Sequence, residues 1–169
     1  TTQGGGITAV SPVVTTVTNS SFTGNAGGVQ GGAISASGPV TISGSTIDGN
    51  NATTGGAIVT TGTTSITGGS ISGNTALNAG AYYSLGTTTI DGTTISNNTA
   101  DGGTTSNGGN GGAIYNVANL TIKNATLSGN KVKADTNATP GITGYGGAII
   151  QVTFAAATVP TLTLNNTTV

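Results

Sequence analysis

Residues 31–54 read GGAISASGPVTISGSTIDGNNATT, and their landmarks return along the chain at nearly constant spacing. Gly31-Gly32-Ala33-Ile34 recurs as Gly55-Gly56-Ala57-Ile58, Ala79-Gly80-Ala81-Tyr82, Gly111-Gly112-Ala113-Ile114 and Gly146-Gly147-Ala148-Ile149, with Gly4-Gly5-Gly6-Ile7 as a worn first copy. Two apolar residues five apart follow each copy: Val17 and Phe22, Ile42 and Ile47, Ile66 and Ile71, Ile90 and Ile95, Ile122 and Leu127, Leu164 and Val169. An asparagine stands three residues beyond the second of these, at Asn25, Asn50, Asn74, Asn98 and Asn130.

A period of about 24 residues is that of a solenoid, in which each unit buries its apolar face only by stacking on its neighbours. Thr, Val, Ile and Gly dominate the repeat, and Glu, Arg and Met are absent, which selects short strands and turns over helices. In Thr41-Ile42-Ser43 and Thr46-Ile47-Asp48 one apolar residue sits between two polar ones, the period-two pattern of a strand with one buried face. The expected fold is all-β: one parallel β-helix of about six coils over residues 1–169, with inserted loops at 99–110, 131–145 and 151–160. Ile42, Ile66, Ile90 and Ile122 should form one buried column, and Ile47, Ile71, Ile95 and Leu127 another. Alternation leaves the parity of the GGAI segment open, because Ile34 and the uniformly small Ala33 position both look inward.

Charged residues are 4% of the chain, Lys+Arg 3 against Asp+Glu 4, for a net charge of −1. Typical soluble domains carry about a quarter. So little charge favours association of copies with one another. The lack of Arg argues against a nucleic-acid partner. There is no cysteine for a disulfide, and no apolar run of the length that spans a bilayer. A start at Thr1 without methionine points to a mature, secreted product.

Phe22-Thr23-Gly24-Asn25 followed by Gly31-Gly32-Ala33-Ile34 resembles the alternating FxxN and GGAI marks of the polymorphic outer-membrane protein family. Later coils replace the Phe by Ile or Leu. The resemblance implies a right-handed parallel β-helix displayed outside a bacterial cell, often as an adhesive passenger, with no active site.

The residues themselves offer little chemistry. Glycoside hydrolysis needs two facing carboxyl groups, and lyase chemistry a base beside an acidic metal site. Glu and His are missing, Asp48 and Asp91 fall in different columns, and Asp101 and Asp135 lie in insertions among lysines. No cofactor is expected. The asparagines read as a corner ladder bonding its own backbone, and the GG pairs as tight corners without the helix and Lys of a phosphate cradle. Tyr82, Tyr83 and Tyr115 fall at nearby positions of adjacent coils, as core packing or as a strip on which sugars stack. An ice-binding rank of Thr41, Ser65, Thr89, Thr121 and Thr163 lacks a matching neighbour, since the column two residues on reads Ser43, Thr67, Asp91, Lys123, Asn165.

The leading expectation is therefore an extracellular or cell-surface structural protein, not an enzyme, whose copies stack head to tail into a filament. Its junction candidates are Thr1, Thr2, Gln3, Gly4, Phe154, Thr167, Thr168 and Val169. The alternative is an adhesin passenger that binds surface glycans, and lesser alternatives are an ice-binding protein and a polysaccharide-degrading β-helix enzyme. Asn-x-Ser/Thr triplets make Asn137, Asn51 and Asn124 candidate glycosylation acceptors.

Overall fold

A computed structural model describes residues 3–11, 13–103, 109–133, 144–153 and 159–169. The chain is a right-handed parallel β-helix of six coils, and none of the described residues is helical. Its first face stacks Ile7–Ala9, Ile34–Ala36, Ile58–Thr60, Tyr82–Ser84, Ile114–Asn116 and Ile149–Gln151. The second stacks Thr15–Thr18, Val40–Ser43, Thr64–Thr67, Thr88–Asp91, Leu120–Lys123 and Leu162–Asn165. The third stacks Ser21–Thr23, Thr46–Asp48, Ser70–Ser72, Thr94–Ser96 and Thr126–Ser128.

Register follows the repeat. Ile42, Ile66, Ile90 and Ile122 pair in sequence on the second face, and Ile47, Ile71, Ile95 and Leu127 on the third. All eight are buried. Each aliphatic residue packs mainly on its own kind one coil away, which is why the pattern must be periodic to fold.

The corners need backbone that bulky residues resist. Three columns hold a positive φ: Asn19, Gly44, Gly68, Gly92, Asn124 and Asn166; Gly24, Gly49, Gly73, Asn97 and Gly129; and Gly31, Gly55, Ala79, Gly111 and Gly146. Glycine and asparagine adopt this conformation at least cost, so they fill every place but Ala79. The second glycine of every pair but the last, Gly147, is held for another reason. A Cβ on Gly32 would stand 2.1 Å from the carbonyl oxygen of Gly56 in the next coil.

These corners explain the parity that alternation left open. The amides of Ala33 and Ile34 both donate to the carbonyl of Ala57, at 2.9 and 3.0 Å, and the same sharing recurs from Gly6 and Ile7 up to Ala113 and Ile114. The chain bends there, so two consecutive side chains turn inward, and the first must be as small as Ala. Tyr82 accordingly occupies the Ile column and is fully buried, while Tyr83 points outward.

Inside the prism the Tyr82 hydroxyl is not orphaned. It shares hydrogen bonds with Thr60 Oγ1 (2.6 Å) and Thr88 Oγ1 (2.8 Å), and these reach on to Thr64 and Ser84. A polar cluster thus replaces aliphatic packing on two successive coils. Further along the same column Asn116 is buried, its Nδ2 donating to Gln151 Oε1 at 2.8 Å.

The insertions are not loop from their first residue. Thr99–Asp101 and Lys131–Lys133 extend the strand Thr75–Ala76 into a small fourth sheet. Gln151 likewise belongs to the strand Ile149–Gln151 rather than to the insertion after it.

Candidate binding groove

The asparagine ladder is a saturated structural device. Asn25, Asn50, Asn74 and Asn98 each give both the backbone N–H and Nδ2 to the Oδ1 of the next asparagine, at 2.8 to 3.1 Å. The remaining Nδ2 hydrogens go to carbonyls of the preceding coils: Asn50 to Phe22, Asn74 to Ile47, Asn98 to Ile71, Asn130 to Ile95. Asn50, Asn74 and Asn98 are buried, so the amides satisfy one another and the corner, with no room for a ligand.

A second polar column behaves differently. Gln30, Thr54, Asn78, Asn110 and Tyr145 bridge in series along the corner that precedes the first face. Thr54, Asn78 and Asn110, with the outward Tyr83 and Tyr115 and with Tyr145, line an open groove of about 370 Å³. Tyr83 and Tyr115 stack with ring centres 4.8 Å apart and planes 10° from parallel, as the pairing of their strands requires. Each ring covers a face of the other, so the pair offers the groove its edges and hydroxyls. Tyr145 is 60% exposed. Asn110 Nδ2 donates to Asn78 Oδ1 at 3.1 Å, tying the amide column together. Burial, and for Tyr83 then the neighbouring Tyr115, pushes both phenols above the ordinary tyrosine range. They are therefore neutral hydroxyls throughout the physiological range.

A neighbouring hollow of about 420 Å³ is walled largely by small or apolar residues, including Gly28, Ala52, Ala76 and Leu77. Its carboxylate, Asp101, is already held by Lys133 at 2.9 Å. The hydrogen bond from Lys133 keeps Asp101 below the usual carboxylate range. Asp91 is lowered too, first by the amide of Asn124 (2.9 Å) and then by Lys123 (3.2 Å). Asp48 accepts from Ser72 Oγ at 2.7 Å. Among the described residues no three His, Cys, Asp or Glu gather as a metal would need.

The candidate acceptors Asn51 and Asn124 are exposed, yet both use Nδ2: Asn51 toward the Thr75 carbonyl and Asn124 toward Asp91. Asn137 lies outside the described residues, as do Asp135, Phe154, Thr1 and Thr2. Gln3 and Gly4 precede the first strand, and Thr167, Thr168 and Val169 run along the sixth coil, where Thr167 Oγ1 donates to the Ile122 carbonyl and Thr168 exchanges backbone bonds with Ala125 and Leu127. The groove draws Tyr83 and Tyr115 together and leaves Tyr82 in the core. Asn78, Asn110 and Tyr145 were not singled out in the sequence, although each stands at the residue just before a GGAI or AGAY motif.

Residues 92–117 match the family model of the Chlamydia polymorphic membrane protein repeat. The match runs from the corner after Asp91 to just past Tyr115, so the groove's Asn110 and Tyr115 lie inside it. No curated protein and no solved structure matches the chain.

Proposed function

We propose that this chain is a non-catalytic β-helical module of a bacterial surface protein that works by contact, as an adhesion element whose binding site is the tyrosine and asparagine groove. The observation that carries this reading is the groove itself. There aromatic edges, an exposed ring and side-chain amides converge on one open groove. The likeness of residues 92–117 to a polymorphic membrane protein repeat supports the surface location. Support for a non-catalytic role comes from the carboxylates, since Asp48, Asp91 and Asp101 each bond to a neighbouring side chain and no two of them face one another across a site. Antibody against the chain should label intact cells that produce the natural protein, and purified chain should reduce attachment of those cells. Labelling only after permeabilisation would remove the reading.

A second reading, head-to-tail association of copies, is favoured by the sixth rung. Leu162 and Leu164 are 42 and 44% exposed although Leu120 and Ile122, in the same columns, are buried. A copy presenting its Ile7–Ala9 and Thr15–Thr18 rung would cover them. The contact would be heterologous and open, and would grow into fibres. Sedimentation and electron microscopy of the wild type against Leu164→Lys test it. Fibres that survive the substitution, or a wild type that stays monomeric at high concentration, refute it.

A further inference from the structure

Resting on the contact reading of the groove, we infer that its ligand is an uncharged, extended polysaccharide chain lying parallel to the axis of the β-helix. Neutrality comes from the lining. Thr54, Asn78, Tyr83, Asn110, Tyr115 and Tyr145 carry no charge, and the nearby Asp101 and Lys133 neutralise each other. Among these described lining residues none is a cation that would hold a phosphate, sulfate or uronate chain.

The axial direction comes from repetition. Amides of Asn78 and Asn110 stand on successive coils, and so do the hydroxyls of Tyr83 and Tyr115. Coils rise by about 4.8 Å. A sugar residue in an extended, β-linked chain advances by a comparable step, with alternate residues turned over, so successive residues lie against successive rungs and present their two edges in turn. An amide offers a donor and an acceptor, and a phenol offers both on one oxygen, which suits ring hydroxyls that themselves give and accept. The stacked pair turns its inner faces to each other, whereas the exposed ring of Tyr145 can take the C–H face of one sugar.

A peptide fits less well. Strand addition needs free backbone groups, and along this corner the carbonyls of Thr54, Asn78, Asn110 and Tyr145 accept from Gly31, Gly55, Ala79 and Gly111 at 2.8 to 3.0 Å. Recognition is left to side chains.

Several weak contacts in register make affinity grow with chain length. Calorimetric titration of the protein with cello- and chito-oligosaccharides of increasing length should show no saturable binding of the monosaccharides. From disaccharide to tetrasaccharide the affinity should rise about tenfold or more. Tyr145→Ala and the milder Tyr83→Phe should each weaken tetrasaccharide binding by about three- to tenfold, with circular dichroism unchanged. Equal affinity for monosaccharide and tetrasaccharide, variants that bind like the wild type, binding confined to an anionic chain such as polygalacturonate, or no binding at all would each overturn the inference. Labelling of intact cells reads the surface location without any sugar, so its success beside a failed titration removes this inference alone.

Discussion

The molecule carries two asparagine columns that differ in what they are free to do. In the column through Asn50, Asn74 and Asn98 every amide is buried and bonded on both sides. At Asn78 and Asn110 the amides are only half buried, a bond from Asn110 Nδ2 to Asn78 Oδ1 joins them, and tyrosine hydroxyls stand beside them. The same residue therefore serves as internal framework where the corner closes over it and as recognition surface where the corner stays open. Spacing alone separates the two: the framework column sits three residues after the third-face aliphatic, whereas the groove column sits immediately before the glycine corner.

The largest effect should come from breaking the framework column at its centre. The Asn74 side chain gives to the Ile47 and Ser72 carbonyls and to Asn98 Oδ1, and accepts twice from Asn50. Asn74→Ala strands several of these groups in the interior and should cost on the order of 4 kcal/mol by denaturant unfolding. Ile66→Ala, in a purely aliphatic column, gives the yardstick and should cost about 3 kcal/mol. If Asn74→Ala proves the milder of the two, the ladder is decoration and the comparison fails. Asn78→Ala should lower stability by less than about 1 kcal/mol, because a single half-buried bond is lost, while weakening oligosaccharide binding. A large loss of stability there would make the second column framework as well.

The smallest effect concerns the exposed ion pairs. Asp91 and Asp101 both sit below the ordinary carboxylate range. Their contribution is present above that range and fades as pH falls through the lowered folded values, because the unfolded chain then binds the protons more readily. Thermal unfolding should therefore shift slightly downward below about pH 4. Lys133→Ala should erase the Asp101 part of the shift, and an unchanged acid limb in that variant would show the pair to be without effect.

Much of this architecture can be read from residues alone. The pairs Ile42 and Ile47, Ile66 and Ile71 lie five apart in every coil, and constant spacing leaves one register possible. The ladder is legible for the same reason. What stayed hidden lies where alternation is interrupted or where an inward residue is polar. Tyr82 and Tyr83 are neighbours of one type, and only the shared acceptor at the corner decides that the first goes in and the second out. Thr60 and Ser84 look like surface residues. Counting two onward from the inward Ile58 and Tyr82 places both inside, so the signal was present but masked by their polarity. The groove column was legible in principle, since Asn78, Asn110 and Tyr145 each precede a glycine corner, but its residue types vary from Gln30 and Thr54 to Tyr145, so no repeated side chain marks it as the asparagines mark the ladder.

The framework ladder has one more property. Every rung points the same way, from the N–H groups of one asparagine to the oxygen of the next coil's, starting with the oxygen of Asn25 and finishing with the N–H of Asn130. Strand backbones alternate and largely cancel, but these aligned amides add, as peptide groups do along a helix. The prism is therefore electrically polarised along its length on that edge. A group lying against the Asn25 end of the ladder does best as a donor and one lying against the Asn130 end as an acceptor, so the two ends of this edge are chemically unlike.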